Sequence, residues 1–324
     1  MVFSVPVHER WDVVLDLVLN FRYLNPSSAI VLHVSEGFNE KESPMKRERF
    51  EKIINEIGGV FINPESVRTG YSDIIQAHLS NFKYISSQSD FHFFSLCASN
   101  ELFVKPGLYE HIKEYDCGVD LFDPKDRPIW VVGHYASDDV DLKRMIEESG
   151  GSKIIASHIE GSYYSKPLFK EIVDIIEHHY DYREMKTAYP REEIYFSTIL
   201  DGLLNKFTNI KVQNPGLFTF VHWAFGYTRM KICVTDLKKC QAIESQYYSV
   251  KRVDRSIDSH IRAYLRKQYG YDKTPYYSSI RYKNLSYPRI FIIDTKNIIN
   301  WILSDSKNKL VSILYRIKNN KIPK

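Results

Sequence analysis

The chain has 324 residues, of which 44% are hydrophobic and 26% are charged, a composition typical of a folded globular protein with a sizeable core. Lys and Arg number 44 against 40 Asp and Glu, but six of the basic residues lie in the acid-free segment 306–324. The rest of the chain therefore carries a net charge of −2. This charge distribution argues against nucleic-acid binding through a broad cationic surface.

Four cysteines without a CxxC pair or a zinc-type His/Cys spacing predict reduced thiols in a cytosolic compartment. The first apolar stretch is interrupted by charged residues such as Glu9 and Arg10, which argues against a secretory signal. No run of about 18 uncharged apolar residues is present, so no membrane span is expected. These features predict a cytoplasmic protein.

The N-terminal half alternates between strand-like and helix-like patterns. Strands are predicted at 2–7, 29–34, 60–63 and 90–96, and helices at 11–24, 44–57 and 72–85. Ser72 is the expected N-cap of the third helix. This alternation predicts an α/β fold with a mostly parallel sheet covered by helices. Ligands of such sheets bind beyond the carboxyl ends of the strands, and none of those turns here carries GxGxxG, a P-loop or GxSxG.

The second half is less regular. Helices are expected at 166–180 and at 190–204, where Pro190 suits the first turn. Short strands and loops are expected over 205–250, and helical and extended pieces over 251–324.

Five segments of the first 254 residues resemble, in order, motifs of one enzyme family. They are 3–35 (strand, helix, and strand ending in His-Val-Ser), 67–85 (a helix containing Ala-x-Leu), 91–104, 160–199 (Gly-Ser-x-Tyr and Glu-x-x-Phe-x-Thr-x-Leu) and 228–254. Together they resemble the core-2/I-branching N-acetylglucosaminyltransferases and the related xylosyltransferases. The resemblance implies a Rossmann-type GT-A fold over 1–254, followed by a C-terminal helical extension over 255–324.

The resemblance also implies the catalytic machinery. Glu193 matches the glutamate of Glu-x-x-Phe-x-Thr and would accept the proton of the acceptor hydroxyl. Glu192 and Glu193 also fit the first turn of a helix, where acidic side chains are favourable in any protein. The family needs no metal cofactor, because an Arg and a Lys neutralise the leaving diphosphate. These match Arg229 and Lys251, with Lys231 as a near alternative to Arg229.

Donor and acceptor contacts follow from the same comparison. Val7, His8 and Ser35 match the part that holds the nucleotide of the donor, although Ser35 stands where the family has aspartate. Asn100 likewise replaces an aspartate of the family. The residues expected near the acceptor or the transferred sugar are Gly161, Ser162, Tyr163 and Trp223. Trp223 lies in so apolar a run that a core position suits it equally well.

Two alternatives remain open from the residues. Asp139 and Asp141 form the one Asp-x-Asp motif, which would suit a metal-dependent or retaining transferase, but the segment also has the pattern of a helix start capped by Ser137. A non-catalytic protein that binds a glycan or a nucleotide is the other alternative, given Ser35 and Asn100. His178 and His179 are expected to be surface residues of a helix and not metal ligands.

The basic tail places Leu310, Ile313, Leu314 and Ile317 at helical spacing among its lysines and arginine. This pattern predicts either an interfacial helix on an anionic membrane surface or a helix packed on the body. The favoured hypothesis is a bacterial, inverting, metal-independent hexosyl- or pentosyltransferase, peripheral at the inner membrane. It would transfer sugar from a nucleotide donor, expected to be UDP-linked, to a glycan or glycolipid acceptor of capsule, lipopolysaccharide or another surface glycan.

Overall fold

The structure is a computed structural model and describes residues 1–38, 41, 43, 45–70, 73–126, 135–181, 189–221, 231–300 and 303. The strands are β1 Val2–Val7, β2 Ala29–Val34, β3 Val60–Ile62, β4 Phe93–Leu96, β5 Glu101–Phe103, β6 Cys117–Gly118, β7 Tyr163–Ser165, β8 Val212–Gln213, β9 Thr219–Phe220 and β10 Ser249–Lys251. The helices are α1 Trp11–Leu24, α2 Arg47–Ile57, α3 Ile74–Gln88, α4 Leu108–Ile112, α5 Val140–Ser149, α6 Lys166–His179, α7 Glu192–Lys206, α8 Val234–Gln241 and α9 His260–Tyr269, and residues 287–300 are also helical.

Seven strands form one mostly parallel sheet in the order β3-β2-β1-β4-β7-β6-β8. The neighbours β3, β2, β1 and β4 are all parallel, whereas β7 is antiparallel to both β4 and β6. The chain order reverses at β1, which has β2 on one side and β4 on the other. A crevice beyond the carboxyl ends of β1 and β4 is where such a sheet binds ligands. The predicted α/β class with a mostly parallel sheet is confirmed.

The core lies on both faces of this sheet. All six residues of β1 are buried, as expected for a central strand with helices on both sides. Phe3 and Val5 belong to one apolar cluster with α1, and Val2 belongs to a second cluster with α3, α6 and α7. The short β-rich run 2–7 and the helical spacing of 11–24 predicted the first strand and helix to the residue.

Other element boundaries differ slightly from the prediction. Asp73 takes the N-cap position of α3, and Ser72 lies outside the described residues. The first residue of α7 is Glu192 rather than Pro190. The helix α8 was not predicted, because its capping box uses the thiol of Cys233 with Asp236 instead of the usual hydroxyl.

Residues after 254 share the first apolar cluster and add a buried ionic cluster to it. Asp16 of α1 accepts hydrogen bonds from Arg262 Nη1 at 2.5 Å, Arg266 Nη1 at 3.3 Å and the Tyr277 hydroxyl at 2.6 Å. Burial alone would raise the pKa of Asp16, but the two guanidinium groups and the hydroxyl lower it below its ordinary value. Described residues after 254 therefore pack on the same core as α1.

Three other predictions concern the whole chain. All four cysteines are free thiols, in agreement with the expected reduced state. Among the residues that the structure describes, no helix is both long and apolar enough to cross a bilayer. The basic tail 306–324 lies outside the described residues.

Candidate functional site

Segments that are far apart in the sequence meet at the carboxyl edge of the parallel strands. The Ser35 amide, after β2, donates to the Val7 carbonyl at the end of β1 at 3.4 Å. The Gly161 amide donates to the Leu96 carbonyl at the end of β4 at 2.9 Å. The Ser157 amide donates to the carbonyl of Glu193 at 3.0 Å, which attaches the start of α7 to the same edge. Val7, Ser35, Gly161 and Glu193, all expected at a donor or acceptor site, thus lie in connected segments.

The turn after β1 is closed by polar side chains. Nε2 of His8 lies 3.4 Å from the hydroxyl of Thr69, and burial lowers the pKa of His8 against the opposing charge of Glu9. Ser35 Oγ accepts the Thr69 amide at 3.1 Å and the Gly37 amide at 3.3 Å. Ser35 therefore holds two loop amides in this structure.

The Gly-Ser-Tyr segment has packing roles that its sequence did not reveal. Gly161 has a φ of +81°, and a Cβ there would lie 2.4 Å from the Thr219 amide nitrogen, so no larger residue fits. The Ser162 hydroxyl donates to the Ile159 carbonyl at 2.7 Å. The Tyr163 hydroxyl donates to Gln213 Oε1 at 2.8 Å. Ser162 and Tyr163 are fully buried, so their side chains present no surface to solvent.

Lys251, at the end of β10, pairs with the carboxylate of Glu160. Burial alone would raise the pKa of Glu160, but the charge of Lys251 and its hydrogen bond lower it. Lys251 remains 23% exposed, so an anion that approaches from solvent can compete with Glu160 for it. Glu160 directly precedes Gly161. It was not predicted as a site residue, because its partner lies 91 residues away and the local sequence carries no sign of that contact.

The strand that carries Lys251 is held by a second buried carboxylate. Glu101 Oε1 accepts the hydroxyls of Thr219 and Ser249, each at 2.6 Å, and Oε2 accepts the Ala98 amide at 3.1 Å. Its contacts therefore join β5, β9 and β10, the three strands of the small second sheet. Burial raises the pKa of Glu101 to about 7, and the charge of Glu160 contributes in the same direction.

The two adjacent glutamates at the start of α7 have different surroundings. Glu192 is 7% exposed, and burial, followed by the negative charge of Glu193, raises its pKa to about 8. The charges of Glu160 and Asp73 contribute in the same direction. Glu193 is only partly buried, so it is the more accessible of the two carboxylates.

A group of buried polar side chains near Glu192 was not predicted from the sequence. Asp73 and Gln76 are one helical turn apart at the start of α3, and Arg191 precedes α7. Burial raises the pKa of Asp73, against the charge of Arg191. Among the described residues, buried atoms without a hydrogen-bond partner include Asp73 Oδ1, Gln76 Nε2 and Glu192 Oε2. Buried polar groups in this condition are uncommon and favour a role in ligand or water binding.

A buried polar network fixes the start of α3 against the sheet. The Ser4 hydroxyl of β1 lies 2.8 Å from His78 Nδ1, and Asn81 Nδ2 donates to the same hydroxyl at 3.0 Å. Burial lowers the pKa of His78 to about 3, so this imidazole is neutral. Asp73, one turn before His78, is therefore held in place by contacts deep in the core.

The Asp-x-Asp motif has a structural explanation. Asp139 Oδ1 accepts the amides of Asp141 and Leu142 at 3.0 and 3.1 Å and so caps α5. Its Oδ2 accepts the hydroxyls of Tyr189 and Tyr195 at 2.6 and 2.8 Å. Both oxygens are thus engaged within the chain, which favours the helix start over a metal site, with Asp139 rather than Ser137 as the cap.

Two predicted residues, Arg229 and Trp223, lie outside the described residues. Lys231, the near alternative to Arg229, forms an exposed ion pair with Asp254 at 2.6 Å. Asn100 contributes its carbonyl, which accepts the Val253 amide at 3.1 Å, and this contact brings the segment after β4 next to the residues that follow Lys251.

Comparison with known proteins does not by itself identify the family or the activity of this chain. No family model matches the chain, and no curated protein matches it. A crystal structure of the galactosyltransferase LgtC with donor and acceptor sugar analogs is similar at 12% identity and a TM-score of 0.40, over 83% of this chain and 95% of that one. An active-site mutant of LgtC is similar at 12% identity and a TM-score of 0.37, over 78% and 88%. Both similarities are too weak to assign a family or an activity.

Proposed function

We propose that this protein is a glycosyltransferase that transfers a hexose or pentose from a nucleotide donor, UDP-linked in our hypothesis, to a hydroxyl of a glycan or glycolipid. The single observation that carries the proposal is the meeting of the resembling segments at one edge of the sheet. Val7, Ser35, Gly161 and Glu193 were selected from sequence motifs alone. There, Val7 is hydrogen-bonded to Ser35, Gly161 to Leu96 at the end of the adjacent strand β4, and Glu193 to Ser157.

The proposed reaction is an inverting displacement. The acceptor oxygen attacks the anomeric carbon, its proton passes to the carboxylate of Glu193, and the bond between that carbon and the diphosphate breaks. The electron pair of this bond leaves with the diphosphate. Glu193 suits the base role better than Glu192, because Glu192 is buried and its pKa of about 8 keeps it protonated at neutral pH.

The charge of the leaving diphosphate needs compensation, which we assign to Lys251 together with Arg229. Lys251 lies beside Gly161 through its partner Glu160, and its partial exposure leaves it accessible to phosphate oxygens. The proposal requires no metal cofactor. The alternative metal site at Asp139 is disfavoured because its carboxylate is already engaged by two amides and two tyrosines.

The cellular role in the proposal is synthesis of capsule, lipopolysaccharide or another surface glycan at the inner membrane. Its support is the charge of segment 306–324, which has six basic and no acidic residues. We expect the full chain to sediment with vesicles that contain anionic lipid and to be released by salt. Deletion of 306–324 should abolish sedimentation and preserve the folded body, whereas an unfolded truncated protein would contradict the membrane role.

The function is tested by ligand binding followed by turnover. UDP should raise the melting temperature of the full chain more than ADP or GDP, since a ligand that binds only the native state stabilises it. Release of UDP from UDP-sugars, with and without a glycan acceptor, should persist in excess EDTA. Activity that vanishes with EDTA and returns with Mn²⁺ would contradict the metal-independent mechanism. Binding of UDP without any turnover would favour the non-catalytic alternative, and no nucleotide binding at all would contradict the proposal.

A further inference from the structure

Three side chains outside the candidate site converge where α5 and α6 end. Glu148 is the second-last residue of α5, and His178 and His179 are the last two of α6. Glu148 Oε2 lies 2.8 Å from His178 Nδ1 and 2.6 Å from His179 Nε2, and the three atoms all lie within 4.8 Å of one another. In the part of the chain that the structure describes, this is the one group of three such side chains within reach of a single metal ion.

The donor set has a defined metal preference. Two imidazole nitrogens and one carboxylate oxygen suit zinc and its first-row neighbours, whereas calcium and magnesium prefer oxygen ligands alone. Tetrahedral bonds of about 2.0–2.1 Å separate ligand atoms by about 3.3 Å. The present separations from Glu148 are a few tenths of an ångström shorter, so small side-chain rotations would open the space for an ion.

The surroundings also favour a cation. The carbonyl groups at a helix C-terminus carry partial negative charge, and two such ends meet here. The nearby cation, Lys206, donates to the backbone carbonyl of Glu148 at 3.0 Å and leaves the carboxylate to the histidines. Glu148 and His178 are exposed, which gives an ion a path of entry and room for a water as the fourth ligand.

We propose that Glu148, His178 and His179 form a zinc-binding site that joins α5 to α6. The site is independent of the proposed transferase activity, because it uses none of the residues assigned to donor, acceptor or base. Zinc bound there would connect two helices that pack on α7. It would stabilise the folded chain, since in the unfolded chain Glu148 is not held near His178, which lies 30 residues later.

The test is calorimetric titration of the full chain with ZnCl2. We expect one zinc per chain, a rise in melting temperature of about 2–4 °C at saturation, and no effect of MgCl2. His178→Ala, His179→Ala and Glu148→Gln should each weaken zinc binding at least about tenfold. The matched control is His92→Ala, which removes an exposed histidine elsewhere and should bind zinc as the wild type does.

The outcome is decided by those variants. Circular dichroism and the melting temperature of each variant without zinc establish that it is folded. Absence of zinc binding by the wild type would overturn the proposal, and so would binding that is unchanged in all three folded variants.

Discussion

Two buried clusters of ionisable side chains in this protein shift the pKa of their central carboxyl group in opposite directions. Asp16 is fully buried, yet two arginines and a tyrosine hydroxyl keep its pKa below the ordinary value. Glu192 is almost as buried but has three further carboxylates among the groups that act on it, and its pKa rises to about 8. The first cluster resembles a structural ion pair, in which each carboxylate oxygen has a partner. The second leaves buried oxygens without one.

This difference in charge pairing distinguishes a cluster that stabilises the fold from a group that we expect to act in ligand binding. A buried charge costs free energy unless it is paired, and Asp16 is paired by residues about 250 positions away, which attach the C-terminal region to α1. The group around Glu192 retains unpartnered carboxylate oxygens at the sheet edge where ligands of parallel sheets bind, whereas the unpartnered atoms of the first cluster are nitrogens of Arg262 and Arg266. Variants of the first cluster should therefore act on folding, and variants of the second on binding, turnover and pH dependence.

The largest effect is expected at the candidate base. Glu193→Gln preserves the shape of the side chain but removes its capacity to accept a proton, so turnover should fall by about 10²–10⁴-fold while UDP binding survives. Steady-state release of UDP and calorimetric binding measure the two quantities. Near-normal turnover in Glu193→Gln combined with an inactive Glu192→Gln would transfer the base role to the buried neighbour.

The paired cluster should respond in stability instead. Arg262→Met leaves the carboxylate of Asp16 buried with one arginine, and we expect a loss of about 3–5 kcal/mol in the free energy of unfolding measured in urea. The matched control is Arg47→Met, which breaks an exposed i,i+4 pair with Glu51 and should cost about 0.3–0.5 kcal/mol. Equal losses in both variants would refute the structural role of the Asp16 cluster.

Substitutions of Lys251 and Glu160 should have different effects on UDP binding. Lys251→Ala removes a charged donor and should weaken UDP binding by about ten- to a hundredfold. Glu160→Gln removes the carboxylate that competes with phosphate for Lys251, so UDP should bind at least as tightly as to the wild type. If Glu160→Gln weakens UDP binding as much as Lys251→Ala does, the ion pair positions the strand and Lys251 is not a phosphate ligand.

The smallest effect is a pH dependence. Because the pKa of Glu192 is raised from 4.5 to about 8, the folded chain holds this proton more tightly than the unfolded chain. Its contribution to stability is therefore complete below pH 4.5 and is lost as the pH rises towards 8, with a slope of at most about 1.4 kcal/mol per pH unit.

Glu192→Gln should flatten this fall by on the order of 1 kcal/mol between pH 6 and 7, measured by urea unfolding. Glu101, whose pKa is raised to about 7, adds a slope of the same sign to both proteins, so the difference between them is the informative quantity. Parallel pH profiles of the two proteins would contradict the unpaired state of Glu192.

Local pattern determined a large part of this fold. The β-rich runs 2–7 and 29–34 and the helical spacing of 11–24 coincide with β1, β2 and α1. A strand buried on both faces appears in the sequence as consecutive apolar residues, and a helix as apolar residues at its own spacing. The same pattern placed the candidate turns at the carboxyl ends of the strands. The motif-based selection of Val7, Ser35, Gly161 and Glu193 was equally local.

Tertiary structure decided which of those residues have a chemical environment different from their neighbours. Glu192 and Glu193 are equivalent by sequence, but the packing of α7 buries one and leaves the other accessible. The packing of α3 on the sheet brings Asp73 close enough to Glu192 for its charge to act on that carboxyl. Lys251 pairs with Glu160, which lies 91 residues earlier in the sequence. Local sequence specifies periodicity, whereas desolvation and charge pairing depend on which distant segments the sheet order brings together.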